Sequence, residues 1–203
     1  MFYEPRLGHG LPRDPFKALV VPRPIGWIST VDPEGRANLA PFSFFNAVAE
    51  SPPQVFFAAN GRKADAPLKD SRRNAEATGC FVVNLATWCL KEAMNASSAR
   101  LPAGVDEMGH AGLTAEPSRI VAAPRVAESP VHLECRYLQT VILPSDDPDE
   151  PNALVIGEVV GVHIDDACLV DGRVDATRLK PIARLGYAQY TAVETVFEMR
   201  RPD

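Results

Sequence analysis

Residues 22–46, PRPIGWISTVDPEGRANLAPFSFFN, constrain this chain more than any other stretch. Two runs of residues with high strand propensity flank Asp32-Pro33-Glu34-Gly35, a turn with Pro at its second position and Gly at its fourth. That layout predicts a β-hairpin with strands over 24–32 and 36–45. Small polar residues (Ser29, Thr30, Asn38, Ser43 and Asn46) are set among the apolar ones. Hydrogen-bonding groups presented on a rigid strand pair suit an anionic or heteroaromatic ligand.

Around the hairpin the chain reads as mainly β. Residues 1–16 carry Pro5, Pro12 and Pro15 and form an irregular N-terminal arm, after which Lys17 to Val21 open a first strand. Pro52-Pro53 precedes a short apolar strand over 54–59. Asp70 or Ser71 serves as the N-cap of a helix that Gly79 ends. CFVVNL (80–85) is a strand, and Thr87 caps a helix over 88–99 whose Leu90 and Met94 share one face. Residues 101–130, rich in Pro and Gly, read as an excursion outside the core. Strands at 130–144 and 152–164 flank the acidic loop 146–151 and form a long hairpin, and a last strand covers 189–199. This order is not the regular alternation of a doubly wound sheet. It predicts a β-barrel with peripheral helices, closed so as to remove exposed strand edges, in a single domain over 1–203.

Composition narrows the function classes. A formal net charge of -5 argues against a general nucleic-acid binder, and any anionic ligand must be held locally. No apolar run approaches the ~20 residues of a membrane span, and the N-terminus lacks a signal-peptide layout, which makes the cytoplasm the expected location. Cys80, Cys89, Cys135 and Cys168 have no metal-ligand spacing, and Cys80 and Cys135 fall in apolar strands as buried, inert thiols. His9, His110, His132 and His163 are scattered, each a surface or core residue, and no metal site is expected.

Few motifs carry chemistry. Lys69-Asp70-Ser71 opens a helix, where free N–H groups, a hydroxyl and an ammonium suit phosphate; the alternative is a capped surface helix. Arg184-Leu185-Gly186 places a guanidinium in a tight turn, either to reach an anion or ring carbonyl or to bridge salts at the surface. Trp27, Phe44 and Phe45 either wall a planar ligand or fill the core. Gly8-His9-Gly10 follows no strand, no Walker A sequence occurs, and Ser43 lacks a nucleophile elbow. With no self-sufficient catalytic set, the chemistry falls to a cofactor.

Together, PRPIGWISTVDPEGRANLAPFSFFNAV, SPPQVFFA, LKDSRRNAEATGCFVVNL, PAGVDEMGHAGLT, SPVHLEC, GEVVGVHI and PIARLGYAQY resemble the flavin reductase-like, FMN-binding split-barrel family, in that family's order over about residues 17–190. The resemblance implies a Greek-key split barrel and a homodimer with non-covalent FMN near the subunit interface. It maps phosphate contacts onto Ser29, Thr30, Lys69 and Ser71, with Asp70 beside them. Ring contacts fall on Ser43, Phe44, Phe45 and Asn46, and Arg23, Pro24, Trp27 and Arg184 also lie by the flavin. No catalytic side chain is implied. Ser71 replaces the family's usual threonine and keeps the hydroxyl, whereas Tyr187 stands where a second glycine is common and narrows the flavin face. The implied activity is NAD(P)H-dependent flavin reduction, with hydride passing from NADH or NADPH to FMN N5 and electrons then to free flavin, a partner monooxygenase or another redox protein. The alternative is a flavoredoxin-like electron carrier working between protein partners. A third reading, haem or another ligand, finds no suitably placed histidine.

Overall fold

The computed structural model describes residues 1–62, 68–99 and 105–202. The chain enters through a short helix, α1 (Phe16–Leu19), and not the expected strand. Asp14 Oδ1 accepts from the N–H of Phe16 at 2.9 Å, which satisfies a free donor at the helix start. A two-residue strand, β1 (Arg23–Pro24), follows. The predicted hairpin is β2 (Gly26–Val31) and β3 (Ala37–Phe42), antiparallel, with Trp27 opposite Pro41 and Thr30 opposite Asn38. Its turn closes by a 3.0 Å bond from Gly35 N–H to Asp32 O, with Gly35 at φ 84°, a value that glycine adopts without strain. Asp32 also accepts from the N–H groups of Glu34 and Arg36 through its carboxylate.

The run expected as one strand over 36–45 is broken in two. The chain bends at Ser43-Phe44 and restarts as β4 (Phe45–Glu50), which pairs with β5 (Pro53–Ala58). The bend lays the Phe45 ring on Gly26, so closely that a Cβ there would come within 2.6 Å of the ring. Next comes α2 (Asp70–Thr78), which Gly79 ends in the left-handed region at φ 72°. Its N-cap is Lys69, in place of Asp70 or Ser71, and no side chain caps it. Asp70 instead pairs with Arg73 at 2.5 Å, one helical turn on.

The remaining elements are β6 (Cys80–Leu85), α3 (Lys91–Ala96), α4 (Glu107–His110), the small hairpin β7 (Ala115–Glu116) and β8 (Arg125–Val126), and the long pair β9 (Val131–Leu143) and β10 (Asn152–Ile164). After them come β11 (Leu169–Val170), β12 (Arg173–Val174), α5 (Ala176–Leu179), β13 (Ile182–Arg184) and β14 (Tyr190–Ala192). Thr87 precedes a 3₁₀ turn at Trp88–Leu90 that leads into α3, so the helix expected over 88–99 is shorter. The last strand stops at Ala192, although Val193 N–H still donates to Pro181 O at 3.0 Å, and Phe197 is 84% exposed.

Among the described residues, seven strands form one sheet in the order β3-β2-β6-β9-β10-β5-β4, and every adjacent pair is antiparallel. The sheet curls around Ile28, Phe42, Phe57, Phe81, Val83 and Val155. Phe57 meets Phe42 and Phe81 at ring-centroid distances of 4.9 and 5.2 Å. A second cluster lies on the other face of β2, where Trp27 and Leu39 meet Met94, Met108, Leu113, Val126 and Ile182. The described part of the 101–130 excursion therefore leaves the sheet but closes this second core. No helix among the described residues is long and apolar enough to cross a membrane.

Both faces of β9 are covered near its start, and there Glu134 is 0% exposed. Its carboxylate accepts from the backbone N–H groups of Arg119 (2.8 Å), Ile120 (2.7 Å) and Val121 (3.1 Å) and from His163 Nε2 (2.5 Å). Burial disfavours the charged form, yet the Arg119 N–H, His163 and the two further N–H groups outweigh it and pull the pKa down to about 2. Glu134 thus ties the 119–121 loop to the sheet.

Candidate functional site

A cleft of about 870 Å³ opens along β3, within the range usual for small-molecule sites. The run from Asn38 to Phe44 forms one wall, and Lys69, Asp70 and Ser71 at the start of α2 form one end. Ala58 and Asn60 after β5, Ser97 and Ser98 after α3, Glu107 of α4 and Lys17 of α1 complete much of the lining.

At the α2 end, Ser71 is buried and its Oγ lies 3.0 Å from the Asn38 amide. The amide is satisfied when its oxygen accepts from Leu39 N–H (3.2 Å) and Ser71 Oγ (3.0 Å) and its nitrogen donates to Glu107 Oε1 (3.2 Å). Lys69 stands at the extended residue just before the helix. An ammonium, a hydroxyl and an uncapped helix start converge there, the donor set that suits a phosphate monoester. The wall from Leu39 to Phe44 is largely apolar, suited to a flat ring.

Ser29 and Thr30 stand behind this surface. Both are 0% exposed, and as neighbours on a strand they point to opposite faces. Ser29 Oγ donates to Pro124 O at 2.5 Å and accepts from Asn84 Nδ2 at 3.0 Å, on the face turned to the 118–126 loop. Thr30 Oγ1 accepts from Asn74 Nδ2 at 3.2 Å, which docks α2 against β2. Trp27, also fully buried, donates from Nε1 to Ser97 Oγ at 2.9 Å and so holds the cleft residues Ser97 and Ser98 in place. Thr30 and Trp27 thus brace the cleft walls, whereas Ser29 ties β2 to β6 and the 118–126 loop on the opposite face.

Of the other expected contacts, Ser43 and Phe44 line the cleft. Phe45 lies against Gly26, and the exposed Asn46 accepts from Ala47 N–H. Pro24 is exposed on β1, opposite Ala183. Arg23 is buried, with its guanidinium donating to the backbone oxygens of Lys17, Val20 (2.7 Å) and Leu185 (2.9 Å). Burial, then the charge of Arg184, lowers its pKa from the usual arginine value. Arg184 donates to Tyr190 Oη and Tyr187 O and stacks on the Tyr190 ring at 4.4 Å. Tyr190 lines a separate hollow of about 280 Å³ with Trp88, Lys91, Met94 and Ile182. Tyr187 takes φ 57°, in the region where glycine is common, and lies under Arg13 at 5.7 Å.

Asn38 was marked by the sequence as a polar residue in an apolar strand, but only the fold brings it to Ser71. Other lining residues escaped the sequence reading. Ser97 and Ser98 end a helix with no chemical motif, and Lys17 sits in a segment expected to be a strand. Among the described residues, no group of three or more His, Cys, Asp or Glu side chains is arranged to hold a metal.

Comparison with known proteins agrees with this architecture. Residues 18–180 match the family model described as "Flavin reductase like domain". An uncharacterized protein of Halalkalibacterium halodurans is 39% identical over 184 residues, covering 90% of this chain and 87% of that one. The crystal structure of nitrilotriacetate monooxygenase component B from Bacillus cereus is similar with a TM-score of 0.88 and 31% identity, over 98% of each chain. That of 2-nitrobenzoate 2-nitroreductase from Pseudomonas fluorescens has a TM-score of 0.79 and 25% identity, over 92% of this chain and 88% of that one.

Proposed function

This chain belongs to the flavin reductase-like family, and on that premise we propose that it is an NAD(P)H-dependent flavin reductase that holds FMN in the β3 cleft. The observation that carries the proposal is the joining of two features in one cleft: the Lys69–Ser71 helix start and the apolar Leu39–Phe44 wall. When bound, FMN supplies a ring that accepts hydride from a nicotinamide donor.

The chain's own residues position and enclose. Lys69 and Ser71 hold the phosphate, and the Ser71 hydroxyl, a free rotor, turns from Asn38 towards it. Thr30 and Asn74 fix the angle of α2, and therefore the direction of its N–H groups. The Ser43 hydroxyl and the backbone N–H groups of the 43–44 bend would supply polar contacts to the ring, the Phe44 carbonyl being taken by Ala58 N–H, and no protein acid is required, because hydride transfer needs two rings held in register. The electrons that FMN would carry when bound would be available to another acceptor. Similarity to nitrilotriacetate monooxygenase component B favours a partner enzyme for that role. A homodimer and a cytoplasmic setting complete the reading; the exposed Val196, Phe197 and Met199 of the C-terminal tail supply apolar surface for a second copy.

The test is an absorbance spectrum of the purified protein after FMN addition and desalting, followed by anaerobic NADH or NADPH. Flavin bands that persist and then bleach with one nucleotide are expected. Failure to bind FMN in a titration refutes the flavin site, and bound flavin that resists both nucleotides refutes the reductase and leaves an electron carrier.

A further inference from the structure

Nη1 of Arg23 binds the backbone of its own N-terminal arm, and Nη2 reaches across the chain. The acceptors are the carbonyls of Lys17 and Val20 and, across the chain, that of Leu185, while the guanidinium lies 5.8 Å from the Phe44 ring. The arm is also seated tightly on the turn after β13, where a Cβ on Gly186 would come within 2.4 Å of Ala18 Cβ. Three backbone acceptors and a close glycine contact make α1 a fixed wall of the cleft. The residue of this helix that lines the cleft is Lys17.

Lys17 stands at the far end of the cleft from Lys69. Ser71 meets Asn38 at the start of β3, whereas Arg23 links Lys17 to Phe44, two residues past the end of that strand. Six residues of extended chain span at most about 20 Å. One cleft therefore has a cationic residue at each end and an apolar wall between, with Arg62 a third cation in its lining.

We propose that Lys17 recognises the phosphate-bearing part of the second substrate, the nicotinamide dinucleotide, and that Arg23 is a positioning residue that sets the arm carrying it. This rests on the flavin reductase reading above, in which Lys69 and Ser71 already hold the flavin phosphate. The pyrophosphate of a dinucleotide stacked on the ring is the remaining anion, and a charge-assisted contact suits it.

The experiment compares Lys17→Ala and Lys69→Ala in two readouts: FMN affinity by fluorescence titration, and KM for the preferred nicotinamide at saturating FMN. Lys17→Ala is expected to raise KM about tenfold with FMN affinity within about twofold of the wild type, whereas Lys69→Ala weakens FMN binding. Weakened FMN binding in Lys17→Ala overturns the proposal by giving that lysine to the flavin phosphate, and an unmoved KM overturns it by leaving Lys17 a solvated charge. A double-mutant cycle tests Arg23: Arg23→Met raises KM, and adding Lys17→Ala to it has little further effect. Additive effects would deny that Arg23 acts through the arm. Failure of the flavin reading shows separately, as absence of FMN binding in the wild type, and takes this inference with it.

Discussion

Glu134→Ala is the most informative single perturbation of the fold. The side chain gathers four hydrogen bonds at 2.5–3.1 Å, three from consecutive backbone N–H groups at 119–121 and one from His163. Hydrogen bonds to a charged group contribute about 1.5–3 kcal/mol each, but they are not additive. Arg119 and Ile120 are exposed, so their N–H groups return to water when the acceptor is lost. The net cost is then about 3 kcal/mol, which corresponds to a fall in Tm of roughly 6–12 °C for a chain of this size. Denaturant or thermal unfolding measures it.

The pH profile gives an independent check. The folded pKa of about 2 lies below the ordinary value of 4.5. The carboxylate's contribution is therefore complete above about pH 5 and is lost as pH falls towards 2. Wild type should lose stability over that window by more than Glu134→Ala does. A cost below about 1 kcal/mol, or identical acid profiles for the two proteins, would refute the claim that this carboxylate anchors the loop.

Other positions make sharper local tests. Gly157→Ala would set a Cβ 2.5 Å from Phe81 Cε1 and 3.1 Å from Arg136 O in a closed core, and is expected to cost about 1–3 kcal/mol in denaturant unfolding. Asn84→Ala removes the donor to Trp27 O and Ser29 Oγ and the acceptor of Val126 N–H; unfolding measurements should show a loss of about 2–4 kcal/mol, since buried partners are left unpaired. Gly26→Ala displaces the Phe45 ring and with it the Ser43-Phe44 bend. Under the proposed function it weakens FMN binding severalfold in a fluorescence titration, and unchanged affinity would separate the bend from the flavin. Ser71→Ala should weaken FMN binding and Ser71→Thr, which keeps the hydroxyl, should restore it.

The hairpin, the helix stop at Gly79 and the paired long strands were legible because their causes are local. A Pro-Glu-Gly turn, a glycine free to take positive φ and runs of β-favouring residues act within a few positions of themselves. The motifs also carried the family, and with it the antiparallel barrel. What stayed hidden depends on groups distant in the chain. The strand break at Ser43-Phe44 goes with the contact of Phe45 and Gly26, residues far apart in the chain, and the burial of Glu134 follows from a loop folding over β9 from outside it.

The site divides in the same way. The sequence alone marked Lys69, Ser71, Asn38 and Ser43, since helix starts and polar groups in apolar strands announce themselves by type and neighbours, whereas Phe44 stayed open between ring wall and core. It could not tell that Ser29 and Thr30 face opposite ways into closed hydrogen-bond networks, or that the Arg23 donors serve backbone oxygens at 17, 20 and 185. Only the tertiary structure decided which polar groups meet the cleft, because a hydroxyl or guanidinium binds whichever partner three-dimensional packing brings within about 3 Å.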